Sequence, residues 1–567
     1  MSTHVLSCNP CISNLGTHNP SAAILVDGTV TFAVEEERII RDKNTFEIFP
    51  RNSIEQCLEY CGVELTEIDQ ITIPWDPTLQ KHLFAYDIKN LHNSEGVHEM
   101  YRQLKGLIKR RVLDPKGYSR RILKNRLKND FDQVTELPDI AFYSHHRSHA
   151  ASAYRFSPFD EAIVVTIDGQ GEYDSTVIWK GTSNELRRLR TYKYPNSLGF
   201  FYAIITDFLG YEGFRDEGKV MGLAPYGSQN KNIERKLRKI AKPGIDYDVS
   251  QVTIPQLEAI FERERKSTPT DFTKWEKDLA YTTQLFLEET VTDIVSEYVE
   301  ESDINKVCLA GGVALNCKMN QQVRELGCVD KLFVQPISHD GGSILGAGSL
   351  AFENEEVSEL RDVYWGEEHS IDEIQNLLEK CKLTYESPND LYDKTATLLS
   401  NGDLVEWYQG RLEMGPRALG NRSILADPRV VKSRDEVNKH VKNREAWRPF
   451  APVMLESAAS TYLKNPAPAP FMIQTFSVRE NAVSNIPAVV HPGDHSTRPQ
   501  TVTKFQNPQI AKLLEAFEQQ TGVPVLLNTS FNNSGEPIVR TPTDAIRMFM
   551  SSGLDALVME DFLVSKA

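Results

Sequence analysis

Ala162-Ile-Val-Val-Thr-Ile-Asp168, then Gly169-Gln-Gly-Glu172, then Ser175–Lys180 reads as a buried strand, a tight turn and a second strand. An apolar run that ends in Asp-Gly is a hairpin signal. The same pattern stands earlier, in Ala22–Asp27, Gly28 and Thr29–Val34. Two such hairpins predict a duplicated α/β unit. The glycines beside Asp168 also leave the backbone open to an approaching anion.

Upstream of the second hairpin lies Tyr143-Ser-His-His-Arg-Ser-His149. His145 and His149 are spaced i, i+4, so a helix presents both imidazoles on one face. With Asp168 they form a plausible ligand set for a divalent first-row metal. His146 points about 100° away on the same helix. The alternative is a helix with two surface histidines beside a buried strand. Farther on, Leu287, Val291, Ile294, Val295 and Tyr298 repeat at helical spacing. The strand Lys306–Leu309 and the turn Ala310-Gly-Gly-Val-Ala-Leu-Asn316 follow. Strand, double Gly and helix start suit backbone contact with a phosphate. Ser338-His-Asp340-Gly-Gly adds a carboxylate before the small-residue helix Ile344-Leu-Gly-Ala-Gly348. Loops in this order match the plan of actin-like, sugar-kinase-like ATPase folds.

A chain of 567 residues exceeds one hydrophobic core, so two or three domains are expected. The net charge of −16 argues against a general nucleic-acid binder. Arg102 to Lys128 is the exception, with one acid, Asp114, among many bases. It reads as a solvated helical excursion, or as a surface for an acidic substrate or partner. No apolar run is long enough to span a bilayer, and the N-terminus lacks the basic and apolar regions of a secretory signal. A cytoplasmic protein is expected. Eight cysteines do not make a disulfide scaffold. The pairs Cys8/Cys11 and Cys57/Cys61 could form a zinc site on paper, or remain free thiols.

An acidic stretch, Glu353 to Asp362, places the domain boundary around residues 355–372 and gives domains 1–360 and 370–567. The second half opens with a helix, Ile371–Cys381, and has strand-like runs at Asp403–Tyr408 and Val523–Asn528. It is expected to be a separate α/β domain. Its cations, Arg411, Arg417, Arg422, Arg429, Lys442, Arg444 and Arg448, fall close together. Several sit in Gly/Pro-rich loops, which suit bidentate binding of phosphate or carboxylate. Surface salt bridging is the alternative. Thr497-Arg498-Pro-Gln500 and Leu527-Asn528-Thr-Ser530-Phe-Asn532 add polar loops in apolar surroundings.

Over essentially its full length the chain resembles the O-carbamoyltransferases of the NodU/CmcH/TobZ type. The motifs in order are His18-Asn-Pro-Ser-Ala-Ala23, Glu35-Glu-Glu-Arg38 with Arg41 and Lys43, His145-His-Arg-Ser-His149, Asp168-Gly-Gln-Gly-Glu172, Ser197-Leu-Gly199 and Gly311-Gly-Val-Ala-Leu-Asn316. In the second half they are Gly410 through Asp427, Arg448-Pro-Phe, Arg498-Pro-Gln and Leu527 through Asn532. The resemblance implies an actin-like (ASKHA, duplicated RNase H-like) N-terminal domain and a YrdC-like α/β C-terminal domain. It implies that the C-terminal domain makes carbamoyl-adenylate from carbamoyl phosphate and ATP. The N-terminal domain then transfers the carbamoyl group to a hydroxyl of a small acceptor, a secondary metabolite or sugar-like compound.

By the same resemblance His145, His149, Asp168 and Asp340 hold a divalent metal, iron by family and magnesium with ATP as the alternative. Lys43, Ser197, Gly311, Gly312, Asn316, Arg417, Arg448, Arg498 and Asn528 bind nucleotide or carbamoyl phosphate. His18 is the base for transfer, since an imidazole with a pKa near 7 suits proton removal from a hydroxyl. No nucleic-acid or membrane partner is implied, and a homodimer is a candidate assembly. The family pattern His-Asp-Ser-Ala is replaced here by His18-Asn-Pro-Ser, after a longer lead-in from Cys8 to Thr17. The rival readings are a threonylcarbamoyl transferase acting on tRNA and a non-enzymatic actin-like ATP-binding regulator.

Overall fold

A computed structural model describes residues 2–566 except 13–14, 82–106, 132–135, 184, 353–356, 443–444 and 446. The basic segment up to residue 106, the acidic stretch up to residue 356, and Arg444 lie outside the described residues.

The first half carries one topology twice. β1 (His4–Asn9), β2 (Ser21–Val26) and β3 (Thr29–Glu35) form an antiparallel meander. β4 (Gln70–Ile73) runs parallel to β1, and β5 (Asp139–Phe142) parallel to β4, giving the order β3-β2-β1-β4-β5. β6 (Glu161–Gly171), β7 (Asp174–Thr182) and β8 (Glu185–Lys193) repeat the meander. β9 (Lys306–Ala310) and β10 (Lys331–Val334) repeat the parallel pair, and the order is β8-β7-β6-β9-β10. The antiparallel strands need only short turns, whereas each parallel strand arrives after a long, helix-bearing crossover. One crossover carries the helix Lys274–Ser302, started by a Thr273/Glu276 capping box. Its stripe Leu287, Val291, Ile294 and Val295 is buried.

The two hairpins differ in one respect. The first turns at Asp27-Gly28, both with positive φ (49° and 78°), as a two-residue twisted turn requires. The second does not turn over Gly169–Glu172 as expected. β6 continues to Gly171, which pairs with Asp174 after an irregular register beyond Ile167, and the turn falls at Glu172-Tyr173. The extra residues bulge from the ladder at Asp168. Gly171 is required there by space: a Cβ would lie 2.2 Å from His145 Cδ2.

The second half is built on one mixed sheet. It contains β11 (Thr384–Glu386), β12 (Val405–Tyr408), β13 (Arg422–Ala426) and β14 (Ala451–Leu455). β15 (Phe476–Ser477) and β16 (Ser496–Thr497) form a separate ribbon. β17 (Gln500–Val502), β18 (Val525–Ser530), β19 (Ala556–Met559) and β20 (Phe562–Ser565) complete the order β11-β20-β19-β12-β13-β18-β14-β17. The expected strands are β12 and β18, each starting two residues later. The expected helix spans Ile371–Lys380, opened by a Ser370/Glu373 capping box.

The halves meet along an apolar seam in which Met414, Leu419, Phe471 and Ile473 join the core of the first half. Among the described residues four arginines cross it onto main-chain carbonyls. Arg324 donates to Thr475 O (3.1 Å). Arg38 donates to Gly415 O (2.6 Å), Arg41 to Ile538 O (2.5 Å) and Pro537 O (3.0 Å), and Arg411 to Thr31 O (2.9 Å).

In the basic helix Pro115–Asp130, Lys116 pairs with Asp76 (3.1 Å) and Arg126 with Asp130 (2.5 Å), and Arg120 donates to Ile140 O (2.9 Å). All eight cysteines are free. Cys8, Cys11 and Cys57 are buried, and burial pushes the Cys8 thiol up to about 12. The paper zinc site is not assembled among the described residues. None of their helices is long and apolar enough to cross a membrane.

Candidate functional site

Small residues let the helix His145–Tyr154 sink fully between the two repeats. Ala150, Ala151 and Ala153 are buried, and the helix Asp340–Ser349 packs against it so closely that a Cβ on Gly346 would lie 1.8 Å from Ser148 O. Ser144, at the N-cap, makes no capping bond with its side chain. Glu172 does that work from the hairpin: its Oε1 accepts from His145 N (2.9 Å) and Asp76 N (2.8 Å). Burial pushes the Glu172 carboxyl up to about 8, against these two amides. Sequence reasoning missed this role, because no spacing rule ties a hairpin end to a helix start before it.

Packing brings four donors together. His145 Nε2 lies 3.0 Å and His149 Nε2 3.3 Å from Asp168 Oδ2, and both lie 3.7 Å from Asp340 Oδ1. All four donor atoms fall within 4.8 Å of one another. His145 and His149 are fully buried, and Trp75 covers His145 with ring centroids 4.2 Å apart. His146 faces elsewhere, its Nδ1 2.9 Å from Thr166 Oγ1.

Burial alone would lower the His149 pKa, but the carboxylates of Asp168 and Asp340 outweigh it and raise it to about 9. Asp168 is held well below the usual carboxylate range: burial opposes this, and His145 and His149 prevail. The group therefore favours positive charge between the buried Asp340 and the half-buried Asp168, a place where a metal cation would serve equally. His149 Nε2 makes no hydrogen bond of good geometry although it is aimed at that centre. Two imidazole nitrogens and two carboxylate oxygens fit a divalent first-row ion.

His18 stands at the rim of this cluster. Its Nδ1 lies 3.2 Å from Asp340 Oδ2, so Asp340 turns one oxygen to His18 and the other to the histidine pair. The His18 side chain is 41% exposed. Its carbonyl is fixed by Asn9 Nδ2 (2.9 Å) and Cys11 Sγ (3.2 Å), a use of Cys11 that the zinc reading did not anticipate.

Gly311 and Gly312 sit at the end of β9 against β6, where a Cβ on Gly312 would lie 3.2 Å from Asp168 Oδ1. Ser197 donates to Gly169 O (2.6 Å) and accepts from Phe200 N (3.1 Å), holding the bulge. Asn316 caps the helix Cys317–Arg324 and exchanges amide hydrogen bonds with Gln284 (both 2.9 Å). The side chains of Ser197 and Asn316 are thus engaged in holding the fold.

Lys43, Arg417, Arg448, Arg498 and Asn528 gather elsewhere, around a cavity of about 330 Å³ at the seam. Gly218, Gly222, Cys317 and Lys318 of the first half complete its wall, and no Asp or Glu is among its described lining residues. Burial, with Arg498 and Arg448 adding repulsion, pushes the Arg417 guanidinium down to about 9, with Cys317 opposing. Burial lowers Lys43 as well. Like charges packed this closely suit an anion.

Of the rest of the Arg-rich stretch, the described residues Arg411, Arg422, Arg429 and Lys442 hold structure, which narrows the anion reading. Arg422 donates to Gln409 O (2.7 Å) and Gly410 O (3.0 Å) and lies 3.6 Å over the Tyr408 ring. Arg429 pairs with Asp427 (2.7 Å), and Arg411 holds the seam. Lys442 lines the cavity but ties down Ser530 O (2.7 Å) and Asn532 O (2.8 Å). Glu413, also unforeseen, shapes the Arg417 loop by accepting from Leu419 N (2.9 Å) and Arg422 N (3.1 Å). The loop from Arg41 to Phe46 joins the two sites: Lys43 lines the cavity, and Phe46 forms an antiparallel bridge with His18.

Comparison with known proteins agrees with a two-part chain. Residues 12–349 match the family described as Carbamoyltransferase N-terminus, and residues 396–566 match Carbamoyltransferase C-terminus. Nodulation protein NolNO of Sinorhizobium fredii is 37% identical, over 98% of this chain and 80% of its own length. A 3'-hydroxymethylcephem-O-carbamoyltransferase of Amycolatopsis lactamdurans is 29% identical, over 76% of this chain and 82% of its own. Among solved structures, full-length HypF in a phosphate- and nucleotide-bound form covers 62% of this chain and 46% of its own at 12% identity. Its TM-score of 0.34 is too low to carry an argument.

Proposed function

The chain belongs to the carbamoyltransferase family and is a transferase, and from that premise we propose that it is an ATP-dependent O-carbamoyltransferase with two sites. The observation that carries the proposal is the pairing of a cavity lined by cations with a separate buried His₂Asp₂ cluster, joined by one short loop. Residues 370–567, which we assign as YrdC-like, would hold carbamoyl phosphate and ATP on Arg417, Arg448, Arg498 and Asn528, with Lys43 reaching over from the first half. Residues 1–360, which we assign as actin-like, would carry out transfer.

Carbamate is a weak electrophile because nitrogen and oxygen both donate into its carbonyl. Carbamoyl phosphate and water give carbamate and phosphate. A carbamate oxygen then attacks the α-phosphorus of ATP and pyrophosphate leaves, giving carbamoyl-adenylate. Arg417, Arg448 and Arg498 offset the negative charge that develops on the phosphates. In transfer, His18 takes the proton of an acceptor hydroxyl whose oxygen attacks the carbamoyl carbon. The bond to the AMP oxygen breaks. Asp340 Oδ2 stands 3.2 Å from His18 Nδ1 without forming an aligned hydrogen bond, and Nε2 is the nitrogen assigned to act. A divalent ion held by His145, His149, Asp168 and Asp340 would supply Lewis-acid neutralisation of the departing AMP. The acceptor is a small hydroxylated compound, a secondary metabolite or sugar-like molecule.

The test uses purified protein, ATP and carbamoyl phosphate, followed by release of phosphate and pyrophosphate. Pyrophosphate release that depends on carbamoyl phosphate supports the reading. ATP turnover indifferent to carbamoyl phosphate would falsify it.

A further inference from the structure

Two residues in the wall of the seam cavity each carry a buried polar atom with no hydrogen-bond partner among the described residues. One atom is a donor, Arg417 Nε, and the other an acceptor, Asn528 Oδ1. Asn528 is 1% exposed and sits on β18, between Leu425 of β13 and Ala451 of β14, so the centre of the sheet fixes its backbone. Its Nδ2 donates to Ala418 O (3.3 Å), the residue next to Arg417, and to Gln500 Oε1 (3.2 Å). Gln500 is buried in turn, and its Nε2 donates to Leu419 O (2.7 Å).

These bonds decide which way the Asn528 amide faces. Ala418 O can only accept. Gln500 turns its nitrogen to Leu419 O, so its oxygen is what meets Asn528. Nδ2 therefore lies on that side, and Oδ1 is the atom left over. On the same wall Ser530 Oγ and Asn532 Oδ1 both accept from Lys442 Nζ (3.1 and 2.9 Å). Asn528 receives no such bond, although cations with hydrogens to give surround the cavity. A buried carbonyl without a donor is costly, and native folds leave few of them. An orphan donor and an orphan acceptor beside one another point to a ligand group that both accepts and donates.

We propose that Asn528 Oδ1, with Arg417 Nε beside it, reads the carbamoyl group, and that Asn528 thereby selects carbamoyl phosphate over other acyl phosphates. The inference rests on the reading of the protein as an O-carbamoyltransferase, and it adds the residue that chooses the donor. The cations hold a phosphate, which every acyl phosphate carries, so they do not choose among them. A carbamoyl group presents a carbonyl oxygen and an amino group. Arg417 Nε donates to the oxygen, and Asn528 Oδ1 accepts from the amino group. Acetyl phosphate has a methyl group in place of the amino group. It is of similar size but gives Asn528 no hydrogen, so the buried acceptor stays unpaired and the analogue is rejected.

The experiment offers carbamoyl phosphate and acetyl phosphate in turn, with ATP, to the wild type, Asn528→Leu and Asn528→Ser. Hydrolysis of the donor gives phosphate and carbamate or acetate, whose attack on ATP releases pyrophosphate. Both products are measured. The wild type should prefer carbamoyl phosphate in kcat/KM by about 10³-fold or more. Either variant should shrink that preference on the order of 10²-fold, through poorer use of carbamoyl phosphate. Binding of inorganic phosphate reports that a variant has folded and kept the cations of the cavity. The wild-type comparison needs no variant, so the proposal can fail even where neither variant folds. A wild type that uses both donors equally overturns it and leaves the transferase reading in place. So does an unchanged preference in a variant that binds phosphate. A raised KM for ATP with the preference unchanged gives Asn528 to the adenine instead, and overturns it too. Absence of pyrophosphate from the wild type with carbamoyl phosphate removes the transferase reading first, and this proposal with it.

Discussion

The two sites are electrostatic opposites. In the cluster of His145, His149, Asp168 and Asp340, acid and base compensate each other, and His149 holds its proton up to about pH 9 because two carboxylates face it. In the seam cavity the charges are alike, and burial together with neighbouring arginines drives Arg417 down to about 9. Removing the central proton leaves two adjacent anions, Asp340 buried and Asp168 half-buried, so the first site accepts a cation. Of charged groups the second turns only cations inward, with Glu445 and Asp494 paired to Arg448 and Lys318 outside its lining, so it suits anions. Each site is arranged around the charge it lacks, which makes the two separable by substitution.

The sharpest break between them is His149→Ala. It should abolish divalent-metal binding, measured by elemental analysis, and reduce carbamoyl transfer more than 10²-fold. Carbamoyl-phosphate-dependent pyrophosphate release should continue. Loss of both activities together would mean that the sites do not act separately.

His18→Asn comes next. It can keep a polar side chain at the rim of Asp340 but cannot take a proton. Transfer should fall on the order of 10²-fold with metal content and adenylate formation intact. An equal fall in both half-reactions would assign His18 to folding.

Arg448→Lys probes the other site. The charge stays and the planar fork is lost, so the KM for carbamoyl phosphate should rise about tenfold or more while metal content is unaffected. Normal use of carbamoyl phosphate would make Arg448 a structural residue.

The smallest effect concerns His491, which lines the cavity and crosses the seam. Its Nε2 lies 3.0 Å from Gly222 O, and its Nδ1 accepts from Gly493 N (3.0 Å). Burial lowers its pKa below 6.5, with Asp494 opposing and Lys318 adding to the fall. A depressed histidine is neutral in the fold, so its contribution is fully present above pH 6.5 and is lost as pH falls below that. Thermal unfolding followed below pH 6.5 should show a shallower acid decline in His491→Gln than in the wild type. Parallel profiles would place the acid sensitivity elsewhere.

The duplicated unit was legible because each hairpin pairs an apolar run with Asp-Gly, and nearest-neighbour pairing needs no knowledge of the rest of the chain. The i, i+4 histidines were legible for the same local reason. The position of the second turn was not, because Gly169 and Gly171 suit a turn or a bulge equally. Contact with His145 decides between them, and only folding supplies it. The arginines were visible as charge but not by destination. Arg417 and Arg422 stand five residues apart in one loop-rich motif, yet one faces a cavity and the other three elements of backbone and a tyrosine ring. Glu172 and Cys11 act on groups distant in sequence, where no periodicity reaches.

The arginines of the seam have a consequence for how this protein can change. Arg38, Arg41 and Arg411 grip the carbonyls of Gly415, Pro537, Ile538 and Thr31, not their side chains. Every amino acid has that carbonyl. At positions such as Ile538 and Thr31, new side chains can be tried over generations without loosening the handhold, provided the main chain keeps its course. These arginines have no such latitude. Variation at the seam is thereby steered into the gripped loops and kept out of the hands that grip them.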